Sequence, residues 1–374
     1  MAPKRQKGSK ITLASVLART DQECLLSELK TLLTEAQVSV CNKAEIQAVC
    51  GHLENVVTEA KGWTSITLQL LIHLLKILPA DLTEQLARVL LDSTILKLMG
   101  QAFDKLNRSF QEGASNKQLE HATMVLLQTV EDLSACHYKG PGKQGMVHGK
   151  DRCGAVFVKR LVSLAASSVA SVIQRRRCVQ LLLELTTRSQ SNRELLFSFE
   201  EGCKQLFGQV VASCGDYSTQ ADVMEILYRA AKQDTLRDGG ITFQGQPKVK
   251  AIFEALVNKS VQDVDASGLT NEIRQLVKAY NASQGSSASV HSFKAAEVSI
   301  GSNQEIRAVD GNWVDVGKQH LSLAVVVPDM DQDSEDPPPD LLDIFYSPNV
   351  SASHSRRMIW MFFLLSSRRL HQPW

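Results

Sequence analysis

Aromatic residues make up only 6% of the 374 positions, and prolines number 10. With so few rings the core must be filled by aliphatic side chains, a composition typical of stacked helices. No apolar run reaches the roughly 18 residues needed to cross a bilayer. The longest, Met358 to Leu365, is far too short, so no membrane partner is expected. The N-terminus is basic but lacks the apolar centre of a secretory signal peptide. Eight cysteines are present without a C-x-x-C pair, which points to free thiols in a reducing compartment, nucleus or cytosol. The formal net charge of +1 argues against a general nucleic-acid coat. Catalytic signatures are missing too. There is no G-x-S-x-G elbow. The Gly-rich stretch Tyr138 to Met146 follows no strand and lacks G-x-x-x-x-G-K-[ST], so it is not expected to cradle phosphate. A binding protein without cofactor is expected, not an enzyme.

What is there is a repeated theme of Leu, Val and Ile at helical spacing, broken by short polar stretches. Asp21 caps a predicted helix to about Glu35, with Leu25, Leu26, Leu29, Leu32 and Leu33 on one stripe. Asn42 caps the next, with Ile46, Val49, Leu53, Val56 and Val57 inward. A third helix opens at Thr64 or Ser65 and stops at Pro79. Further helices are predicted from Asp81, from Asp92 or Ser93, and over Ser115 to Leu133. The stretch Tyr138 to Met146 is predicted to be a flexible loop. Helices resume over Cys153 to Val169, Val172 to Thr186, Asn192 to Cys214, Ser218 to Gln233, Lys248 to Val257 and Asn271 to Tyr280. Short connections between helices of this length fit an irregular armadillo- or HEAT-like α-solenoid, with a single irregular helical domain as the alternative.

From about Phe293 the apolar period becomes two. Strands are predicted over Ser292 to Ile300, Trp313 to Val316 and His320 to Val327, with Asp310 to Asn312 as a turn and Leu341 to Tyr346 as a further strand. The expected fold class is therefore mainly α, followed by a small, incomplete antiparallel β segment. The expected divisions are a disordered basic arm over 1–11, a helical domain over 12–282, and a Gly/Ser-rich hinge over 283–290. A partial β segment with an acidic, Pro-rich loop covers 291–350. The last stretch, 351–374, has neither strand alternation nor a long helix and reads as an atypical variant tail.

Four clusters carry charge or potential ligands. Lys4, Arg5, Lys7 and Lys10 form a basic arm without acids. It suits a mobile tail, a nuclear-import signal or a weak DNA contact. Arg175, Arg176 and Arg177 form a basic ridge early in a helix, either a solvated face or a surface for an acidic partner. Cys136, His137, His148 and Cys153 are chemically able to bind zinc. Their spacing fits no finger pattern, so no metal is expected. His73 lies among leucines and reads as a partly buried core residue.

Certain stretches carry a resemblance. Leu196-Phe-Ser-Phe-Glu-Glu-Gly-Cys-Lys-Gln-Leu-Phe-Gly208 leads into Cys214-Gly-Asp-Tyr-Ser-Thr-Gln-Ala-Asp-Val-Met-Glu-Ile-Leu-Tyr-Arg-Ala230. Downstream stand His291-Ser-Phe-Lys-Ala-Ala-Glu-Val-Ser-Ile300 and Trp313-Val-Asp-Val-Gly-Lys-Gln-His-Leu-Ser-Leu323. In order and spacing these resemble the N-terminal region of the synaptonemal complex protein 2 family, over about 190–327. The resemblance implies an armadillo-like domain followed by a pleckstrin-like domain related to one in a histone chaperone. It implies a scaffold of the meiotic chromosome axis, in the nucleus, either on the lateral element or at centromeres. Partners would be other chromosome-axis or centromere proteins. In that family a distant coiled coil pairs with synaptonemal complex protein 3. Here the second domain stops after its first strands and no coiled coil follows, so the chain reads as a truncated form for which that assembly is not expected. A generic armadillo-like adaptor in cytosol or nucleus is the alternative. Within the quoted motif, Gly215, Asp216 and Tyr217 read as a helix stop, turn and cap, and Glu225 and Arg229 as an i,i+4 pair. These are assignments to the fold and not to recognition.

Overall fold

A computed structural model describes residues 12–35, 40, 42–58, 62–78, 84–92, 94–113, 117–140, 145–198, 210–232, 243, 246–259, 266–294, 297–300, 304–307, 313–317, 320–325, 340–345 and 363–365. The fold class is mainly α, a solenoid-like succession of helices followed by antiparallel strands. The chain forms two compact units, Met1–Ala170 with Glu184–Leu195, and Ser171–Leu183 with Leu196–Trp374.

In the first unit, α1 (Leu13–Leu17), α2 (Gln22–Glu35), α3 (Lys43–Thr58) and α4 (Ser65–Lys76) are followed by α5 (Glu84–Asp92), α6 (Ile95–Gln111) and α7 (Lys117–Ala135). Strands β1 (His137–Lys139) and β2 (Met146–His148) then lead into α8 (Gly149–Ala166). Helix starts follow the sequence. The Cys24 amide donates to Asp21 Oδ1 at 2.7 Å, and the Glu45 amide to Asn42 Oδ1 at 3.0 Å. Thr64 and Thr67 close a reciprocal capping box on α4. The five apolar residues predicted to face inward on α3 are the buried hydrophobic residues of that helix. Each such side chain contributes about 1.5–3 kcal/mol when fully buried. Helices α2, α4 and α7 pack in one row, and α1, α3, α6 and α8 in a second. The two rows meet where α1 touches α2, α3 touches α4, and α7 touches both α6 and α8, while α5 lies against α3, α6 and α8. Two rows of alternating helices are the arrangement of a helical repeat stack. Phe103 of α6 meets Phe157 of α8 edge to face, with centroids 6.2 Å apart.

The stretch predicted as a flexible loop contains a β-hairpin instead. His137 pairs with His148, Tyr138 with Val147 and Lys139 with Met146; residues 141–144 lie outside the described residues. The buried Tyr138 hydroxyl donates to Asp92, and the Lys139 amide donates to Glu84 Oε1 at 2.7 Å. These bonds to α5 order strands too short to show alternation in the sequence. Pro79, Asp81, Ser93 and Ser115, predicted as helix punctuation, fall outside the described residues, and α6 starts after Thr94.

Helix α9 (Val172–Thr186) contributes to both units, and α10 (Gln190–Ser198) follows it. The second unit continues with α11 (Tyr217–Lys232), α12 (Pro247–Asn258) and α13 (Ala266–Gln284), which pack against one another. Seven strands follow: β3 (Val290–Lys294), β4 (Glu297–Ile300), β5 (Gln304–Arg307), β6 (Trp313–Gly317), β7 (His320–Val325), β8 (Asp340–Phe345) and β9 (Phe363–Leu365). Strands β4 and β5 make a separate hairpin, and the rest form one sheet in the order β3-β6-β7-β8-β9. Within it Phe293 pairs with Val314, Val316 with Leu321, and Leu323 with Leu342.

Two expectations need correction here. The 351–374 tail, read as strandless, supplies β9, which pairs with β8 through Ile344 and Phe363. A three-residue strand joins through backbone hydrogen bonds and leaves no side-chain period to read. The 283–290 hinge is taken up by the end of α13, a 3-10 turn over Gly285–Ser287, and the buried Ser289 and Val290. Buried anchors on both sides, Tyr280 and Asn281 before the turn and Ser289 and Val290 after it, hold this Gly/Ser stretch. Limited proteolysis with elastase is accordingly expected to leave the 283–290 bonds intact under native conditions. Early cleavage there would contradict the packing described.

Candidate functional site

Lys4, Arg5, Lys7 and Lys10 lie outside the described residues. Arg175, Arg176 and Arg177 lie in the first turns of α9, whose start is closed by a Ser171–Gln174 box. The Ser171 amide donates to Gln174 Oε1 at 2.9 Å, and the Gln174 amide to Ser171 Oγ at 3.3 Å. Packing turns two of the three arginines inward. Arg175 is 9% exposed. Arg176 donates from Nε to Asp216 Oδ2 at 3.0 Å and from Nη2 to Asp216 Oδ1 at 2.6 Å. Arg177 is half-buried. The run is therefore not an exposed basic ridge. The reason is Asp216, a fully buried carboxylate that demands a counter-charge.

Asp216 does two jobs. Gly215 takes φ +63°, a left-handed conformation that carries no penalty in glycine. The chain is thereby turned so that Asp216 caps α11, accepting from the Thr219 amide at 3.1 Å and from the Thr219 hydroxyl. One turn on, Gln220 Nε2 donates to the Val211 carbonyl at 2.7 Å, and Asn281 Nδ2 donates to Gln220 Oε1 at 2.8 Å. Tyr217 lies under the Arg274 guanidinium, 4.1 Å from the ring centre, and Arg274 Nη1 reaches Asp315 Oδ1 and Oδ2 at 3.2 and 3.1 Å. Asp315 belongs to β6, so this pair fastens α13 to the sheet. Burial pushes the Asp315 carboxyl above its ordinary range, and Arg274 pulls it back. The Glu225–Arg229 pair is formed at 2.6 Å on the surface of α11. Apart from this surface pair, these groups hold the second unit together and face inward.

The possible zinc quartet is brought close but not into a cage. His137 and His148 sit opposite each other on the hairpin and are exposed, whereas Cys153 is fully buried. Cys136 donates its thiol to the Asp132 carbonyl at 3.3 Å. Among the described residues, no group of three or more His, Cys, Asp or Glu is placed to hold a metal. Burial pushes the thiols of Cys153, Cys178 and Cys214 well up, so they pack as small apolar groups.

His73 is half-buried on α4, with Nδ1 2.6 Å from the Gln69 carbonyl. Burial lowers its pKa, helped by Lys76, Lys30 and His121. An unfolded imidazole takes up a proton near 6.5 that the folded one refuses. Stability contributed by neutral His73 is thus complete above that value and is lost as pH falls below it. Urea midpoints measured from pH 7.5 to 5 are expected to fall, and to fall less in His73→Gln. An unchanged slope in the variant would count against this assignment.

Outside these inward-facing networks, the first unit carries an open groove of 540 Å³ between α3 and α5. Ile46, Cys50 and Gly51 of α3 and Val89 of α5 form its middle, with Lys43 and Glu54 toward opposite ends of the α3 stripe. Arg88 and Asp92 line the α5 side. Asp92 is already engaged by Tyr138, by Arg152 at 3.5 Å and by Arg88 at 4.0 Å. Among the described residues, neither Lys43 nor Glu54 makes an ion pair. A Cβ at Gly51 would meet no atom within 4 Å. Sequence reasoning passed over this site because its charges look like an ordinary wet helix face. The available signal was Gly51 itself, since a glycine inside a helix costs about 1 kcal/mol relative to alanine.

No curated protein matches the chain by sequence. A solved structure described as "Synaptonemal complex protein" has a similar fold, with a TM-score of 0.51 at 11% identity, over 91% of this chain and 92% of that one. The likeness is one of fold, through helices and strands alike. A family model matches residues 25–261, nearly all of the helical region before α13. On that match the chain belongs to the family described as "Repeat of unknown function (DUF8079)".

Proposed function

We propose that this protein is a non-enzymatic scaffold of the meiotic chromosome axis, acting in the nucleus by holding partner proteins on its helical surfaces. The observation that carries the reading is the fold likeness to a synaptonemal complex protein, which spans more than nine-tenths of both chains. The motif around Gly215, Asp216 and Tyr217 supports it from the sequence side. So does the arrangement of the first unit, where helices stack in two rows and α3 and α5 border an open groove. Partners would be axis or centromere proteins. Catalysis is not part of the proposal.

Antibody staining of spread meiotic chromosomes tests the proposal. Signal along axes or at centromeres, overlapping a synaptonemal complex protein 2 family member in the same spread, is the expected result. Diffuse signal together with broad expression in somatic tissue would overturn it and would assign the chain as a generic armadillo-like adaptor.

A further inference from the structure

The groove between α3 and α5 has a length, a floor and two poles, and together these define what fits it. Lys43 and Glu54 are eleven residues apart on one helix, roughly 16 Å along its axis. An extended peptide covers that distance in about five residues. Between the poles the groove is lined by Val89 and the buried Ile46 together with Gln47 and Cys50, and it is open at Gly51, where an added Cβ would meet no atom within 4 Å. The two poles carry opposite charge and are spoken for by no other group among the described residues.

We propose that this groove docks a short extended segment of a partner protein. The segment would place one aliphatic side chain over Gly51, a carboxylate toward Lys43 and a cationic side chain toward Glu54. Nucleic acid is a poor fit, because Glu54 and Asp92 would face its phosphates. Each exposed ion pair is worth little by itself, so the poles set direction while the apolar side chain supplies most of the affinity. The inference takes from the scaffold reading only that the ligand is a protein. Failure to find the chain on meiotic axes would leave the groove's occupant unchanged.

Cys50 lies in the groove and is half-buried, while Cys24 and Cys136 are half-buried outside it. Alkylation of the intact protein by iodoacetamide, read per cysteine by mass spectrometry, therefore reports occupancy with internal references. The probe is acetyl-Asp-Ala-Leu-Ala-Lys-amide at about 5 mM, a concentration suited to the millimolar affinity of so short a ligand. It is expected to slow Cys50 by at least about threefold and to spare Cys24 and Cys136. The reversed peptide, acetyl-Lys-Ala-Leu-Ala-Asp-amide, is expected to protect less. Gly51→Leu fills the open position without touching the core and is expected to abolish protection. Lys43→Glu is expected to abolish the preference between the two peptides. If Cys50 proves unreactive in the free protein, shifts of a ¹³C-methyl signal from Ile46 give the same readout. Equal protection by both peptides, no protection at all, or protection by a short oligothymidylate instead would overturn the proposal. So would protection produced by raising the protein concentration alone, which would make a second copy the occupant.

Discussion

Asp216→Ala is expected to destabilise the second unit by about 3–5 kcal/mol, the usual cost of breaking a buried ion pair from one side. The deletion removes the carboxylate that the Arg176 guanidinium, 11% exposed, holds through Nε and Nη2. It also removes the acceptor for the Thr219 amide, a cap worth about 1 kcal/mol in most helices. The variants can be ordered. Asp216→Asn keeps an oxygen for the cap and loses the charge, so it should be milder. Arg176→Met combined with Asp216→Asn removes both charges of the pair and should recover part of the loss, because an apolar replacement of a buried pair is often nearly neutral. Urea unfolding followed by circular dichroism measures all three. A loss under about 1 kcal/mol for Asp216→Ala would show that Arg176 finds water or another acid, and that the pair is incidental.

Gly154→Ala should be nearly as costly, for a different reason. Gly154 lies on α8, where a Cβ would sit 1.9 Å from Asn192 Oδ1 and 2.2 Å from its Cγ. Asn192 cannot step aside cheaply. Its Nδ2 donates to the Lys150 carbonyl at 2.9 Å and to the Leu185 carbonyl at 2.8 Å, joining α8, the end of α9 and α10. The same corner is reinforced by Arg193, whose Nη1 donates to the Thr186 carbonyl at 2.8 Å. Overpacking costs about 1–3 kcal/mol, and each buried amide or carbonyl left without a partner about 1–3 kcal/mol more. A loss of about 3 kcal/mol is therefore expected in a urea titration. Since the clash is with one side chain, Asn192→Ala should already carry much of that loss. Adding Gly154→Ala to it should then cost little, a strong departure from additivity. Additive effects would mean that the methyl group collides with something other than Asn192.

The first helices were legible because they are built from a cap and a stripe, both local in the sequence. Asp21, Asn42 and Thr64 announce their helices, and Ile46, Val49, Leu53, Val56 and Val57 sit at the spacing that one buried face requires. Strands β6 and β7 were legible from alternation. What escaped was decided over distance. The hairpin at 137–148 exists because Tyr138 and Lys139 find Asp92 and Glu84 about fifty residues away. Strand β9 exists because β8 offers it an edge. Arg175 to Arg177 read as a surface because nothing near them in sequence is acidic; the carboxylate that holds Arg176 lies forty residues on, at Asp216. For the same reason Asp216 and Tyr217 could be assigned to a turn and cap but not to a buried node. The groove shows only as a glycine out of place, since the volume beside Gly51 depends on where α5 comes to rest.

The pairing of Arg274 with Asp315 bears on where this chain could be shortened, in a natural variant or in the laboratory. The low-complexity stretch after α13 looks like a seam, and the family match ends even earlier, at residue 261. Yet any fragment ending between α13 and β6 keeps Arg274 over Tyr217 and discards the carboxylate that Arg274 holds on β6. The place where the sequence looks easiest to cut is one where a cut separates two halves of a single electrostatic contact. A helical fragment that keeps this contact must run through β6.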